Sequence, residues 1–322
     1  MITENYLDPD VAYLLGLIAI RGTLYENPGD KRIVIEFPFK SLVVERAGVS
    51  VNQQQQLQIA AGEIRDRLYE LLETDISVSR SPSSIEFTIR FLRNSMAWRN
   101  IGYLLRGKRS YAEFEVPKAV MESPEQVIQI EFVRGVADAG GFIRDSNRYL
   151  DGRRRVYIEV NNRNWIFPIQ LCALLQQHLG IPVQTIQWGH PNVRQSRVPE
   201  GSAWAKEHQV KIFAEAFQRV GFHVSYKQEI LQEFAQEDLQ RGCQLPPKCN
   251  PNPNIRRVER KPRHTGEKST LLPKGLQKKH FDSYWQICLA MGCRQCVERV
   301  DPHLVLLDEG EHYDTSLEEG SE

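Results

Sequence analysis

The sequence predicts an α+β protein built from tandem αββαββα repeats, with two antiparallel sheets forming a pseudo-twofold saddle and a small C-terminal extension. Similar segments recur along the 322 residues at one constant spacing of 119 positions. Equal spacing at several places indicates a duplication, and two similar halves pack about a pseudo-twofold axis. The equivalent pairs are Gly16 and Gly135, Gly22 and Gly141, Trp98 and Phe217, Gly102 and Gly221, and Lys108 and Lys227.

The elements of the first repeat follow from its turn residues and its hydrophobic periodicity. Asp8 and Pro9 are typical of a helix start, and the apolar run after them predicts a helix that reaches Gly22. A turn at 28–30 then separates two strands. The other predicted elements are a strand with Ile33, Ile35 and Phe37 inward, a helix over 57–71, strands with Ile76 and Val78 and then Phe87, Ile89 and Phe91 inward, and a helix over 96–105.

The second repeat is predicted to follow the same order, so that residues 1–120 and 121–240 form the two units. Strands that alternate strictly are covered on one face only, and the polar face of each sheet is expected to be open to a partner. The predicted elements are a helix ending at Gly141, a strand with Val156, Ile158 and Val160 inward, a helix over 165–179, strands near 183–188 and 209–213, and a helix containing Phe217.

Charge is unevenly distributed along the chain. Lys and Arg balance Asp and Glu at 41 each, which argues against a general polyanion binder. Residues 256–279 are nevertheless strongly basic, which indicates either contact with phosphate or a solvated linker, and the residues from Asp308 onward are acidic. We therefore expect a basic, Cys-containing extension over 241–307 and a disordered acidic tail over 308–322.

The apolar runs and the cysteines of the sequence bear on the cellular compartment of the protein and on whether it binds a metal ion. The longest apolar run is about half of a bilayer span, and no basic segment precedes it, so a cytoplasmic, monomeric protein without membrane contact is expected. Five of the six Cys follow residue 240, and disulfides are not expected. A four-thiolate zinc site is one interpretation, with His280 and Cys288 as rival ligands, and reduced, unliganded thiols are the other. The candidate zinc ligands are Cys243, Cys249, Cys293 and Cys296.

Residues 14–22 and 132–143 share a pattern of apolar and small residues around Gly16 and Gly135. Both segments resemble the motif of the LAGLIDADG homing endonucleases in their single-chain, two-repeat form, and the later Ile/Val-Gly-aromatic segments resemble the end of each repeat in that family. A Gly inside a helix costs about 1 kcal/mol, and close approach of two helices would explain it in both copies. The resemblance implies that these helices form the interface between the halves and that their C-terminal ends point into a DNA cleft.

The match fails at the positions where active relatives carry metal-binding acids. Arg21 and Gly140 stand there, and neither offers the carboxylate that Mg²⁺ needs. Asp138 is rotated roughly 200° away on the helix and is expected to cap or pack at its end. A DNA-binding fold without cleavage is therefore preferred. An active metal-dependent endonuclease using Glu26, Asp138 or Asp145 remains the first alternative, and a protein-interaction scaffold, suggested by the acidic tail, is the second.

Polar side chains on the predicted open faces suit contact with double-stranded DNA. Arg, Asn, Gln and Tyr recognise base edges in the major groove, although any solvated sheet face is polar as well. Two basic turns, which begin at Arg144 and Arg153, are expected to contact phosphates. No Gly-rich phosphate loop, nucleophile elbow or HExxH motif is present. The residues expected to contact DNA are Arg32, Arg90, Arg144, Arg153, Arg155, Tyr157, Asn161, Gln209 and Lys211.

Overall fold

A computed structural model describes residues 6–44, 52–144, 154–164, 166–191 and 206–240. Several sequence-based predictions concern other parts of the chain. Asp145, Arg153, the four candidate zinc ligands and the two C-terminal segments lie outside the described residues.

The first repeat contains the predicted order of elements, with two short helices added. It comprises α1 (Pro9–Arg21), β1 (Gly22–Asn27), β2 (Asp30–Pro38), α2 (Phe39–Leu42), α3 (Gln53–Leu72), β3 (Ile76–Arg80), β4 (Ser84–Phe91), α4 (Met96–Leu104) and α5 (Lys118–Met121).

The second repeat has the same order and ends in a 16-residue helix that was not predicted. The predicted helix over 165–179 is interrupted, because its second half forms a π-helical turn at Leu174–His178. The elements are α6 (Gln126–Gly140), β5 (Gly141–Arg144), β6 (Arg155–Asn161), α7 (Ile166–Ala173), the π-helical turn, β7 (Val183–Pro191), β8 (Lys206–Phe213), α8 (Ala214–Phe217) and α9 (Ser225–Gln240).

Two four-stranded antiparallel sheets confirm the predicted fold class. Their strand orders are β1-β2-β4-β3 and β5-β6-β8-β7, so each strand of one sheet has an equivalent in the other. In the first sheet, Ile33 pairs with Ile89 and Ile35 with Phe87, and all four side chains are buried beneath the helices. Val78 was also predicted to face inward, but it lies on the edge strand and remains exposed.

Local sequence explains how each central helix begins and ends. Asp8 caps α1 by accepting a hydrogen bond from the backbone N–H of Val11 at 2.7 Å, and Pro9 occupies the first turn. Gly22 and Gly141 then turn the chain directly from helix into strand. Side chains are excluded at both positions, since a Cβ on Gly22 would lie 2.6 Å from Ile18 Cα and one on Gly141 would lie 2.5 Å from the carbonyl oxygen of Ala137.

The two central helices, α1 and α6, pack against each other through glycine. A Cβ on Gly16 would lie 2.1 Å from the carbonyl oxygen of Phe132, and one on Gly135 would lie 2.1 Å from that of Tyr13. These two contacts are equivalent under the repeat, since each glycine meets the residue three positions before its counterpart. The helix backbones therefore touch on the pseudo-twofold axis, and one continuous core extends through both repeats. No helix among the described residues is long and apolar enough to cross a membrane.

Candidate nucleic-acid interface

The C-terminal ends of α1 and α6 meet the first strands of both sheets. Arg21 is the last residue of α1, and Gly140 is the last residue of α6. There is little room for a side chain at the second position, because a Cβ on Gly140 would lie 2.4 Å from Ile20 Cγ1 and 3.2 Å from the carbonyl oxygen of Glu159. The tight packing around residue 140 thus agrees with the lack of an acidic side chain there.

Arg21 lies in a network of four charged side chains that joins the repeats. Its Nη1 donates a hydrogen bond to Glu207 Oε1 at 3.0 Å, and its Nη2 lies 3.9 Å from Glu159 Oε2. Lys40 on α2 is paired with Glu159 and lies 3.0 Å from Glu207 Oε2. Both cations come from the first repeat and both carboxylates from the second. Positive charge from the protein therefore occupies the helix ends, where the resemblance implies bound metal.

Burial and charge shift the pKa values of the two carboxylates in opposite directions. Burial favours the protonated form of Glu207, but Arg21 and Lys40 outweigh it and lower its pKa to about 2. Burial and the neighbouring charge of Glu207 raise the pKa of Glu159 despite Lys40. The network therefore keeps Glu207 ionised at neutral pH, where its charge is bound by Arg21 and Lys40.

Asp138 lies in the last turn of α6, but its side chain is buried among other protein groups and is not part of the charged network around Arg21. It is fully buried, and its Oδ2 accepts hydrogen bonds at 3.0 Å from the Tyr13 hydroxyl and from the backbone N–H of His223. Lys227 Nζ lies 3.8 Å from Asp138 Oδ1. The carboxylate is thus enclosed by protein groups and is not open to a metal ion bound to substrate, which matches the expectation that it packs at the end of the helix.

Lys227 caps the C-terminus of α6 by donating hydrogen bonds to backbone carbonyl groups there. Its Nζ donates to the carbonyl oxygens of Ala137 at 3.2 Å, Asp138 at 3.4 Å and Gly141 at 3.1 Å. A cation here also complements the partial negative charge of the helix end. The side chain is completely buried, and burial lowers the pKa of Lys227 to about 8 although Asp138 opposes the shift. Its repeat equivalent, Lys108, is partly exposed and pairs with Glu115 instead.

Glu26 lies far from the helix ends. It is the fifth residue of β1, so it lies about 13 Å along the strand from Gly22. Its carboxylate pairs with Lys31 at 3.3 Å and with Arg109. Among the proposed alternative acids in the described part of the chain, neither Glu26 nor Asp138 is available at the helix ends. The acids found there are Glu159 and Glu207.

The polar face of the first sheet is open, as predicted. Arg32 and Arg90 lie directly opposite each other on β2 and β4, and Arg90 is exposed while Arg32 is half-buried. Asp30 pairs with Arg32 at 2.7 Å, and Arg32 lies over the Tyr25 ring. Two like charges facing each other destabilise a sheet, and Glu36 and Glu86 form a second such pair on the same two strands. Other side chains on this face include Thr23, Val34, Glu36, Ser77, Ser79, Glu86 and Thr88.

The polar face of the second sheet contradicts the expectation that both faces are open. Arg155, Tyr157 and Gln209 are each exposed to 5% or less. Phe142 stacks on Tyr157 with ring centroids 5.1 Å apart, and Arg155 lies over the Phe213 ring. The long and aromatic side chains at these outward positions pack against one another and are shielded from water.

Asn161 and Lys211, which were also predicted to contact DNA, lie on this face of β6 and β8. Asn161 and Lys211 are half-buried, and the Lys211 ammonium lies 5.5 Å from the centroid of the Tyr157 ring. Arg144 ends β5, where its backbone pairs with Arg155. Gln209 donates a hydrogen bond to Glu159 Oε1 at 3.0 Å, which connects this face to the charged network.

Sequence reasoning missed Lys40 and Glu207 as members of the site. Lys40 follows the strand predicted around 33–37, and Glu207 precedes the strand predicted near 209–213. In the sequence, 167 positions separate Lys40 from Glu207, and 186 separate Arg21 from Glu207. Local patterns do not reveal partners at such separations. For Glu159, strand alternation placed the side chain on the polar face but gave no sign of its partners.

The paired glycine-bearing helices above two equivalent four-stranded sheets define a protein with a two-repeat LAGLIDADG-like fold. No protein-family model and no curated protein matches the chain.

Several solved structures are similar to this chain at low sequence identity. Full-length DUF199/WhiA from Thermatoga maritima has a TM-score of 0.42 and 13% identity, covering 80% of this chain and 67% of that one. The N-terminal LAGLIDADG domain of DUF199/WhiA has a TM-score of 0.35 and 14% identity, covering 72% and 86%. I-DmoI in complex with DNA and Ca has a TM-score of 0.34 and 17% identity, covering 65% and 86%.

Proposed function

We propose that this chain binds double-stranded DNA through the open face of its first sheet and does not cleave it. The observation behind the absence of cleavage is the Arg21–Glu207 ion pair at the helix ends. Cleavage of a phosphodiester by Mg²⁺ needs carboxylates that are free to hold the ion against the phosphate. Here the two carboxylates at the helix ends are bound by Arg21 and Lys40, and residue 140 contributes no side chain.

The DNA-binding half of the proposal is supported by the exposed strands. A twisted antiparallel ribbon fits the major groove, where Arg recognises guanine and smaller hydroxyl side chains contact either base or phosphate. Arg32, Arg90, Ser77 and Thr88 lie together on one face of β2, β4 and β3. These residues are the ones we assign to DNA contact in the first repeat.

The second repeat contributes differently in this proposal. Arg144, Arg153, Asn161 and Lys211 are assigned to DNA contact on the basis of their chemistry and their positions in the sequence. The burial of Arg155, Tyr157 and Gln209 does not favour direct contact with bases. We assign these three residues to the support of Lys211 and Glu159, which they contact or adjoin on the same face.

The proposal extends to the state and location of the protein. A single chain that holds both halves of a pseudo-twofold molecule supports a monomer, and the distribution of cysteines supports a cytoplasmic location. A structural zinc ion at Cys243, Cys249, Cys293 and Cys296 is the proposed role of the C-terminal cysteines. Metal analysis of the folded full chain should then find about one zinc per molecule, and a zinc-free folded protein would remove this part of the proposal.

Two assays on the full chain test the proposal. Binding to a randomised duplex library should select sequences, and affinity should fall steeply with salt as phosphate-bound cations are released. Addition of Mg²⁺ or Mn²⁺ to the selected complex should produce no nicked strand. Nicked product would establish the active endonuclease instead. A chain without salt-dependent duplex binding would favour the protein-interaction scaffold.

A further inference from the structure

A cavity of about 460 Å³ lies at the outer end of the first sheet. The β1–β2 turn forms one wall, and the segment that joins β4 to α4 forms the other. Lys31, Arg93, Asn94 and Arg99 contribute polar side chains to it, and Phe91 contributes an apolar one. Lys31 alternates with Arg32 along β2, so the cavity opens on the side of the sheet opposite to the Arg32–Arg90 pair.

Positive charge exceeds negative charge in this cavity. Glu26 is the carboxylate among its lining residues, and Lys31 at 3.3 Å and Arg109 both pair with it. Hydrogen bonding from Arg109 and then from Lys31 lowers the pKa of Glu26, which keeps it ionised and engaged by these two cations. Asp30, on the neighbouring turn, is paired with Arg32 at 2.7 Å on the other side of the sheet.

Among the cations that line the cavity, Arg93 and Arg99 form no ion pair with a carboxylate of the described residues. Both are exposed at the cavity. The backbone carbonyl of Arg93 is fixed by a hydrogen bond of 3.0 Å from Lys31 Nζ, so the segment that carries Arg93 is tied to β2. Lys31 Nζ and Arg109 Cζ also each lie 5.9 Å from the centroid of the buried Trp98 ring. The site is therefore held in place by contacts other than those to an anion.

We infer that this cavity is a phosphate-binding subsite in which Arg93 and Arg99 bind the phosphate oxygens. Guanidinium groups form paired, charge-assisted hydrogen bonds with phosphate, and Asn94 adds a neutral donor beside them. The phosphate belongs either to the backbone of a polynucleotide or to a free phosphorylated molecule. The first source rests on the proposed function and requires the DNA backbone to pass around the outer end of the sheet to the side opposite to the Arg32–Arg90 pair. The phosphate chemistry does not depend on it.

The first arm of the test uses inorganic phosphate as the probe. NMR titration of the full chain at constant ionic strength should give saturable shifts in the backbone amides of residues 27–31 and 93–99. The double variant Arg93→Gln, Arg99→Gln should weaken phosphate binding by about tenfold or more, as expected for the loss of charge-assisted contacts. The matched control, Arg65→Gln with Lys118→Gln, removes two exposed cations elsewhere and should leave phosphate binding unchanged.

The second arm measures the salt dependence of duplex DNA binding for the same proteins. A slope of log K against log salt that becomes shallower by roughly one in the double variant, but not in the control, assigns the phosphate to a polynucleotide. Phosphate binding with an unchanged DNA slope assigns it to a free phosphorylated molecule. Absence of saturable phosphate binding in the unmodified chain overturns the subsite whether or not DNA binds. Phosphate binding without any DNA binding leaves the subsite intact and refutes the proposed function.

Discussion

Arg21, the last residue of the first central helix, donates a hydrogen bond of 3.0 Å to Glu207 in the last strand of the second sheet. The side chains are exposed to 8% and 14%, so their attraction is only weakly screened by water. Removal of one partner leaves an uncompensated buried charge, which is far more costly than the loss of an exposed pair. The pair thus contributes to the coupling between the repeats at the C-terminal end of α1.

A double-mutant cycle measures this coupling. Arg21→Met should lower the free energy of unfolding by about 3 kcal/mol, because Glu207 and Glu159 then share Lys40 alone. In the background of Glu207→Gln, the same substitution should cost less by roughly 1–3 kcal/mol. Urea unfolding of the four proteins gives these values. Arg65→Met, at an exposed pair with Asp66, is the control and should cost less than about 0.5 kcal/mol. Additive effects of the Arg21 and Glu207 substitutions would contradict the proposed coupling.

The glycine contacts predict opposite effects for one substitution at different helical sites. Gly16→Ala should destabilise the protein by about 2 kcal/mol or more, because its Cβ would lie 2.1 Å from the backbone carbonyl oxygen of Phe132 and the helices must separate. Gly62→Ala in α3 meets nothing within 4 Å, and it should stabilise by roughly 0.5–1 kcal/mol through helix propensity. Thermal and urea unfolding compare the two variants. Equal effects of the two substitutions would show that the helices do not touch at Gly16.

The like-charge pairs of the first sheet predict that two substitutions with the same effect on stability have opposite effects on DNA binding. Arg90→Gln and Glu86→Gln should each stabilise the sheet by roughly 0.2–1 kcal/mol, since they relieve the Arg32–Arg90 and Glu36–Glu86 repulsions. Their effects on duplex DNA should be opposite. Loss of the cation should weaken binding and reduce its salt dependence, and loss of the carboxylate should strengthen binding.

Fluorescence anisotropy with one duplex at several salt concentrations tests this expectation. The two variants serve as controls for each other, because both replace a charged side chain by Gln on the same strand. If both changed DNA affinity in the same direction, the effect would come from the sheet itself and not from an anion on its face.

Much of the fold was predictable because its signals are local. Strict alternation at Ile33, Ile35 and Phe37 predicted both the strand and its buried face, and the repeated glycines predicted the helix contact. Helix α9 was missed although Leu231, Phe234 and Ala235 are buried along it at helical spacing. The buried side of the helix also carries the charged residues Lys227 and Asp238 near its two ends, so its apolar stripe is too short to indicate an amphipathic helix.

The candidate site was less predictable because its charges pair across the repeats. Arg21 could be identified as a departure from the motif, but its partner comes from a strand of the other repeat. The closure of the second sheet's polar face also depends on packing. Its signal was the aromatic content of outward positions, where Phe142, Tyr157 and Phe213 stand at the positions that Thr23, Val34 and Arg90 occupy in the first sheet.

The buried ammonium of Lys227 predicts that stability rises with pH in the weakly alkaline range. Burial lowers its pKa in the folded chain to about 8, whereas the unfolded side chain has an ordinary pKa near 10.5. The unfolded state therefore binds more protons between these values, and the folded state gains stability as pH rises through them. The expected gain from pH 8 to pH 10 is roughly 2 kcal/mol. Burial also raises the pKa values of Tyr13 and Tyr226, and this opposes the gain above that range, where unfolded tyrosines ionise.

Comparison with Lys227→Met isolates this contribution, because the other titrating groups remain in both proteins. Between pH 8 and pH 10, the unmodified chain should gain roughly 2 kcal/mol relative to the variant, as measured by urea unfolding at each pH. Lys118→Met removes an exposed lysine and should reproduce the pH dependence of the unmodified chain. Parallel curves for the unmodified chain and Lys227→Met would mean that the ammonium is solvated. In that case α9 would not close the end of α6, and the Ala137, Asp138 and Gly141 carbonyl groups would need other donors.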